Sequence, residues 1–375
     1  APMTQRFAPT VSMPSPYPAR TEPLPWRVDE ITAEWLGRTL GHRFPGIAVE
    51  ALEVNQFIDS HTSKLRITAA FNQVGRDAGI PSNLCLKSNW SGDFDDVDIC
   101  ELEAHFYHFL RPHLTVPVPR CFYADWDAGD KTQGVIILED LTDIGGRFGH
   151  SLDNNGIDGV ARALEDLAAM HGNLWGSPIL DQQPWLPTSM STHVDNDQIR
   201  IMQRFIDKNL ADPEVQRIVP TALIEDPERL QRGFDALIAL EAAQTSPRCL
   251  LLGDCHQGNT YIQPDGHRMW IDWQLVRKGR PWRDLTYFMI GCLTVEERRA
   301  AERDLLATYR AALVATGAQG VPSNEEIWSL YRRWVLYGMQ AWIANMDIWG
   351  QIGLPMNERF FTAGDDHDTW KLLGL

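Results

Sequence analysis

The period of the apolar positions changes near Thr142. Before it, VDEITAEWLGRTL places Val28, Ile31, Trp35, Leu36 and Leu40 at helical spacing, which predicts an amphipathic helix. Three strand-like runs follow, IAVEALEVNQF (47–57), SKLRITAAF (63–71) and SNLCLKSNW (82–90), joined by connectors carrying Asp, Ser, Gly and Pro. Asp98 stands at the start of a helix, ICELEAHFYHFL, that ends before Pro112. RCFYADW (120–126) and GVIILEDL (134–141) complete a five-stranded lobe with one inserted helix. Beyond Thr142 the chain reads as mostly helical. GIDGVARALEDLAAMHGNLW carries Ile157, Val160, Leu164, Leu167, His171 and Leu174 in steps of three and four, a buried helical stripe. Further helices are expected near 195–209 and 226–243 and from Trp282 onward, with breaks at Pro322-Ser323 and Leu354-Pro355.

One stretch interrupts the helical pattern. Cys249 to Asp272 consists of apolar triplets and turns, with QPDG at 263–266 as a hairpin connector. It sets Asn259 five residues after Asp254, and Asp272 thirteen residues after Asn259. A protein kinase uses that arrangement when one Asp receives the acceptor hydroxyl proton and an Asn/Asp pair holds magnesium on the nucleotide phosphates. Phosphoryl transfer demands mainly positioning and charge neutralisation, so its other parts can be sought by their chemistry. A cation must reach the phosphates and be held still. Lys87 lies on the strand LCLKSNW, and the helix after it offers Glu103, which shares a face with Phe106, Tyr107 and Leu110, whereas Glu101 points elsewhere. Alone, Lys87 reads equally as a surface lysine of an edge strand; the downstream motif gives it a purpose. Magnesium takes hard oxygen ligands, few of them from protein, and Asn259 and Asp272 supply two. Asp254 is left to face the acceptor hydroxyl; a charge after the apolar run CLLL is costly unless it is used. His256 either orients the loop through a ring hydrogen bond or touches the acceptor.

With these residues in place, the chain resembles the aminoglycoside phosphotransferase and choline kinase superfamily, close to its ecdysteroid-kinase-like and bacterial phosphotransferase members. Their catalytic loop H-G-D-x-H-x-x-N is similar to Leu252-Gly253-Asp254-Cys255-His256-Gln257-Gly258-Asn259, and their I-D-[WF] to Ile271-Asp272-Trp273. AMHGNLWG (169–176) and PWRDLTYF (281–288) match further family segments. The resemblance implies that Asp284 anchors the catalytic-loop backbone, and that ILEDL (137–141) is the lobe-connecting hinge where Glu139 to Leu141 meet the adenine edge. It covers about 28–346 in order. Two departures stand out: Leu252 replaces the first histidine of the loop motif, and the phosphate-covering loop, Gln56 to Ser63, has no glycine. Ser60, Thr62 and Ser63 offer hydroxyls there, while Asp59 must face away from phosphate.

The expectation is therefore an α+β, bilobal protein-kinase-like fold. It has a proline-rich extended arm (1–27), a small antiparallel β-sheet N-lobe with one inserted helix that binds nucleotide (28–140), and a large mainly α-helical C-lobe with the catalytic loop and acceptor site (141–375). ATP and magnesium are the expected cofactors, and a small-molecule alcohol the acceptor. The runner-up is a kinase-fold nucleotide-binding or interaction protein without turnover. A metallophosphoesterase would use Asp254 and His256 as metal ligands but needs later histidine motifs, and only His267 and His367 follow. A protein kinase would need a long activation loop, and DLTYF arrives twelve residues after Asp272.

Bulk properties narrow the partners. The chain of 375 residues, 44% hydrophobic and 22% charged, is ordinary globular material. A net charge of −16 argues against nucleic acid as a partner. Six scattered cysteines without a CxxC read as reduced thiols rather than a zinc site. Seven prolines and no apolar core in the first 26 residues do not make a secretory signal, and Trp334 to Met346 is too short to span a bilayer, so no membrane role and a cytoplasmic location are expected. The helices after 324 hold Trp328, Tyr331, Trp334, Tyr337, Trp342 and Trp349, read mainly as core, with some free to line an acceptor site. Asp347, Glu358 and Asp365-Asp366 would be the carboxylates available to a cationic acceptor; an apolar or weakly charged alcohol is favoured.

Overall fold

The computed structural model describes residues 23–60, 62–90, 98–190 and 196–375, with side chains from 202 onward in the last segment. Most of the proline-rich arm, and His61 in the phosphate-covering loop, lie outside the described residues. Helix α1 (Ala33–Gly41) starts later than its apolar spacing suggests, because Thr32, in extended backbone, accepts the Trp35 N–H at 3.1 Å and caps it. Val28–Glu30 forms a separate 3-10 turn.

Strands β1 (Val49–Ile58), β2 (Ser63–Phe71), β3 (Asn83–Ser88), β4 (Cys121–Asp127) and β5 (Asp130–Glu139) form one antiparallel sheet in the order β1-β2-β3-β5-β4. Strand alternation splits β2 between two environments. Leu65, Ile67, Ala69 and Phe71 pack with Trp35, Leu36 and Leu40 of α1 into a core of their own. Lys64, Arg66 and Thr68 point to the opposite face, paired in register with Lys87, Cys85 and Asn83 of β3. That face is polar, which is unusual for a sheet facing another lobe and is explained by the site below. A five-residue helix, α2 (Gln73–Asp77), fills the β2–β3 connection; it is too short to leave a period in the sequence.

Helix α3 (Ile99–His105) begins after Asp98 and runs into a π-helical turn at Phe106–Leu110. It lies so close to β5 that a Cβ on Gly134 would stand 2.3 Å from the Cys100 carbonyl oxygen. Only glycine permits this approach, and the approach sets the distance from the helix to the sheet.

The larger lobe begins with β6 (Arg147–Phe148) and α4 (Gly156–Asn173), followed by α5 (Asn196–Leu210), α6 (Pro213–Gln216), α7 (Thr221–Glu225) and α8 (Arg229–Ala243). Val160, Leu164, Leu167 and His171 of α4 and Leu174 just after it are buried as the stripe requires, whereas Ile157 in the first turn is exposed beyond the core's edge. Two small sheets follow, built from β7 (Cys249–Leu251), β8 (Thr260–Ile262), β9 (Arg268–Trp270) and β10 (Arg277–Gly279), in the orders β10-β7 and β6-β8-β9. The chain ends in α9 (Trp282–Cys292), α10 (Val295–Ala315), α11 (Asn324–Ala344), α12 (Met346–Trp349), α13 (Gly353–Asp366) and α14 (Thr369–Leu372). The break expected at Leu354-Pro355 falls instead at Gly350–Ile352, and Pro355 sits in the first turn of α13, where its missing N–H costs nothing. The fold is thus bilobal: a small antiparallel sheet with its inserted helix, over a mainly helical lobe holding one continuous core. No described helix is long and apolar enough to cross a membrane, and all six cysteines are free.

Gly134→Ala is expected to lose roughly 1–3 kcal/mol of stability by forcing α3 off the sheet. Urea unfolding of the variant beside the parent measures it, and an unchanged midpoint would show that α3 can move at no cost.

Candidate active site

A cleft of about 440 Å³ opens between the polar face of the sheet and the helical lobe. The loop after β7 forms one wall. Gly253 adopts φ +89°, and a Cβ there would fall 1.8 Å from the Leu275 carbonyl oxygen, so the turn that projects Asp254 requires glycine. The loop is held from beneath by Asp284 of α9, which is fully buried and accepts the N–H of Leu252 at 2.7 Å and of Gly253 at 3.2 Å. His171 of α4 stands 3.4 Å from the same carboxylate and meets the Tyr309 hydroxyl at 2.7 Å through its other nitrogen. Leu252 is buried in the core, and the imidazole beside the carboxylate that supports this loop is His171 of α4.

Asn259 fixes the other end of the loop. Its side-chain nitrogen donates to the Asp254 carbonyl at 2.9 Å and to Asp254 Oδ2 at 3.3 Å. Both partners are acceptors, so the NH₂ must face them, and the amide oxygen is the atom left to serve a cation. His256 Nδ1 accepts the Gly258 N–H at 3.1 Å, which leaves the proton on Nε2, 3.6 Å from Asp254 Oδ2. Trp349 packs edge-on to its ring at 5.0 Å. Burial works against the charge on Asp254, but His256 outweighs it and holds the carboxyl below its ordinary range.

Asp272 follows β9 in left-handed backbone, φ 64°, one of two such non-glycine residues described. Its Oδ1 lies 2.7 Å from Lys87 Nζ, and its Oδ2 3.5 Å from Lys64 Nζ. Lys87 also pairs with Glu103 of α3 at 2.6 Å, as the helical facing of Glu103 predicts, while Glu101 turns away to within 3.8 Å of His105. Burial opposes a charge on Lys87, but Asp272 and Glu103 overcome it and raise its pKa. Burial pushes Glu103 upward, with Lys87 pulling the other way. The Trp273 N–H donates to Glu103 at 3.2 Å, and the Trp273 ring stacks on Phe106 at 4.0 Å, so α3 is clamped to the turn that carries Asp272.

The expected site residues divide cleanly. Asp254, His256, Asn259, Asp272, Ser60 and Thr62 line one cleft, with Lys87 and Glu103 directly behind Asp272. Thr62 reaches Gln274 at 3.4 Å, joining the β1–β2 hairpin to the loop beyond Asp272. Asp59 is exposed and lies outside the cleft lining. Ser63 is buried opposite Ser88 at the start of β2 and does not reach the cleft. Glu139 and Leu141 do not reach it either. The Glu139 N–H bonds the Arg120 carbonyl at 3.0 Å, and Leu141 packs against Tyr261 and Met269. They flank a second hollow of about 580 Å³ beneath the same sheet, bordered by Gln56, Arg66, Thr68, Asn83, Asp140 and Thr142. Lys64, His171, Arg283 and Gln274 went unread. Lys64 was legible as the alternate partner of Lys87 across two strands; Arg283, which donates to the Gly253 carbonyl at 2.8 Å and the Tyr337 hydroxyl at 2.7 Å, left no signal beyond its place beside Asp284.

Among the described residues, no three His, Cys, Asp or Glu side chains converge to hold a metal by themselves. Asn259 and Asp272, which line the same cleft, could offer one amide and one carboxylate group to a cation. That suits magnesium, which keeps few protein ligands and completes its shell with water and phosphate oxygens. It does not suit a di-metal hydrolase.

The far wall is apolar: Tyr287 of α9, Tyr337 and Ala341 of α11, and Ile348 and Trp349 of α12. Tyr331, Trp334 and Trp342 are buried core, and Trp328 packs against Tyr331 and His367. Asp347 pairs with Lys208 at 2.7 Å, and Asp366 is bound by Arg298 and Arg299. None of the carboxylates suggested for a cationic acceptor lines the cleft; Asp254 and Asp272 alone among its lining residues are acidic.

Residues 91–319 match the ecdysteroid kinase-like family. No curated protein sequence matches the chain. Solved structures with the same fold include a candidate aminoglycoside phosphotransferase from Ralstonia eutropha (14% identity, 91% of this chain and 98% of that one, TM-score 0.53). A choline kinase from Streptococcus pneumoniae (12% identity, 89% and 98%, TM-score 0.49) and a macrolide 2′-phosphotransferase from Brachybacterium faecium (17% identity, 88% and 97%, TM-score 0.45) are also similar.

Asp272 is held below the ordinary aspartate value of 3.8: burial opposes its charge, but Lys87 and Lys64 outweigh that. A carboxyl whose folded pKa lies under its unfolded one gives stability that is complete above about pH 4 and is lost as pH falls toward the folded value. The unfolding free energy should therefore drop below about pH 4, and Asp272→Asn should flatten that slope. Urea titrations at acid and neutral pH test it; an unchanged slope would assign the acid lability to other carboxyls.

Proposed function

The chain belongs to the ecdysteroid kinase-like family, and on that premise we propose that it transfers the γ-phosphoryl group of ATP to a hydroxyl of a small molecule. The observation that carries this reading is the convergence of Asp254, Asn259 and Asp272 on one cleft, with the Lys87–Glu103 pair at 2.6 Å immediately behind. A kinase reaction needs these parts and little else.

In this reading residues 28–140 bind the nucleotide and 141–375 carry the catalytic loop and acceptor. The base occupies the hollow under β1–β3, with the hinge at Glu139 to Leu141 along its edge. The triphosphate runs along the sheet toward Lys87. Ser60 and Thr62 offer hydroxyls over it, and Glu103 keeps the Lys87 ammonium in place. Asn259 and Asp272 would hold a magnesium ion, which supplies charge neutralisation on the phosphate oxygens. Asp254 accepts a hydrogen bond from the acceptor hydroxyl, aligned by Asn259 on one side and His256 Nε2–H on the other. The hydroxyl oxygen bonds to the γ-phosphorus as the bond from that phosphorus to the β–γ bridging oxygen breaks. The hydroxyl proton passes to Asp254 and ADP departs. A carboxylate held below its ordinary pKa is a weak base. That suits a loose transition state, in which the hydroxyl needs aiming more than early deprotonation.

The acceptor lies against Tyr287, Tyr337 and Trp349. An apolar wall with no carboxylate of its own favours a neutral alcohol with a broad apolar face over a polycation. An ATP-dependent reaction of this kind belongs in the cytoplasm.

Thermal-shift titration with ATP, GTP and ADP, each with and without magnesium, is the direct test. A magnesium-dependent rise in Tm with ATP is expected through linkage; no shift with any nucleotide would point to an interaction module on a kinase fold. Asp254→Asn should retain nucleotide binding and lose about 10³-fold in turnover. Asp272→Ala should lose the magnesium-dependent part of nucleotide binding. Parent-like turnover in the first variant would remove Asp254 from the reacting centre.

A further inference from the structure

The loop from Gln56 to Ser63 has no glycine and no lysine or arginine of its own. Charge has to come from elsewhere. Lys64 lies directly across from Lys87 in the β2–β3 ladder and points to the same face of the sheet. The two ammonium groups divide one carboxylate between them, Lys87 on Asp272 Oδ1 at 2.7 Å and Lys64 on Oδ2 at 3.5 Å. Their settings differ. Lys87 is 6% exposed and held from the other side by Glu103; Lys64 is 32% exposed and, among the described residues, pairs with Asp272 alone. Lys64 lines the cleft that contains Asp254, whereas Lys87 lies behind it.

From this geometry we propose that Lys64 is a specificity-determining cation for the terminal phosphate, the residue by which the site tells a nucleoside triphosphate from a diphosphate. The inference rests on the phosphotransferase reading above. Phosphate in the cleft needs Asp272 for a metal ion, and once Asp272 turns to that ion Lys64 loses its carboxylate. The phosphoryl group nearest Asp254 is the one that reacts, and Lys64 is the cation beside it. Lys87, buried and tied to Glu103, serves the inner phosphates that donor and product share. The division also gives product release a cause: ADP leaves Lys64 without its phosphate, and the lysine returns to Asp272.

The test is isothermal titration of the full chain with ADP and with the β,γ-imido analogue of ATP, both with magnesium, for parent, Lys64→Met, Lys64→Arg and Lys87→Met. Lys64→Met should weaken the imido analogue by about tenfold or more, the scale of one charge-assisted contact, and leave ADP within about twofold. Lys64→Arg should recover most of the loss, and Lys87→Met should weaken both ligands. Retained ADP affinity also shows that the Lys64→Met chain is folded. Equal weakening of both ligands by Lys64→Met, or of neither, would overturn the inference while leaving the phosphotransferase reading intact. A parent protein that binds neither nucleotide would overturn both.

Discussion

The rest of the structure depends on three interlocked charges, Lys87 and Glu103 buried and Asp272 15% exposed at the cleft. Each comes from a different element: a strand of the small sheet, the helix inserted beside it, and the turn after β9 in the other lobe. Withdrawing such groups from water is expensive, and the cost is recovered only while all are together; removing one partner strands the others. The triad therefore couples the angle between the lobes to a local electrostatic condition. The surrounding packing reinforces it. Gly134 lets α3 approach β5 closely enough for Glu103 to reach Lys87, and Trp273 both stacks on Phe106 and donates its N–H to Glu103. A helix displaced by an ångström would break the ion pair and the stack together.

The catalytic loop is held by a second, independent chain of polar contacts. Tyr309, His171 and Asp284 run from α10 through α4 to α9 and end on two backbone N–H groups of the loop. Every member is buried, so each bond is electrostatically stronger than it would be in water and each loss is dearer. Arg283, next to Asp284, donates to the Gly253 carbonyl and the Tyr337 hydroxyl, which ties the same loop to the aromatic wall of the cleft. Asp254 thus projects from a turn whose amides and carbonyl are fixed by the helical core, and its carboxylate, flanked on Oδ2 by Asn259 and His256, lines the cleft.

How much of this was legible follows from range. The strands, α3, α4 and the long C-terminal helices left clear periods; the downstream motif gave Lys87 a purpose, and helical facing chose Glu103 over Glu101 as its partner. The Asp254, Asn259 and Asp272 cleft was legible because two short-range spacings encode it. Contacts between distant segments were not. His171 reads as one more apolar-stripe position on α4, and its contact with Asp284 needs α9, 113 residues further on, to pack beside it. Ser63 was read both as the last hydroxyl of the loop and as the first residue of the strand 63–71; β2 begins there as that run predicts, and the strand turns Ser63 inward. The aromatics of the last helices split between core and cleft: Trp334 and Trp342 fall on buried positions, while Tyr337, on the same helix, and Trp349, on the short helix after it, face the cleft. Helical spacing alone does not decide which side of a helix another lobe will leave open.

The polarity of the cleft is divided between its walls. The sheet side carries Lys64 and Lys87, with Arg66 further along, and the loop side carries Asp254, Asn259 and Asp272; the opposite wall from α9, α11 and α12 is aromatic and aliphatic. In the arrangement described here the two lysines are satisfied by Asp272, so the site is at rest electrically. On the proposed function, nucleotide and metal entry is then an exchange and not an addition: carboxylate contacts pass from lysine to metal as the lysines pass from carboxylate to phosphate. Because every ion in the exchange trades one counter-charge for another, none is left unpaired, which avoids the cost of stranding a lone charge in a low-dielectric cleft. On the same proposal the aromatic wall takes no part in that balance: an acceptor would gain affinity there from apolar contact, and the residues that would choose it, on α9, α11 and α12, are remote in sequence from Lys64 and Lys87.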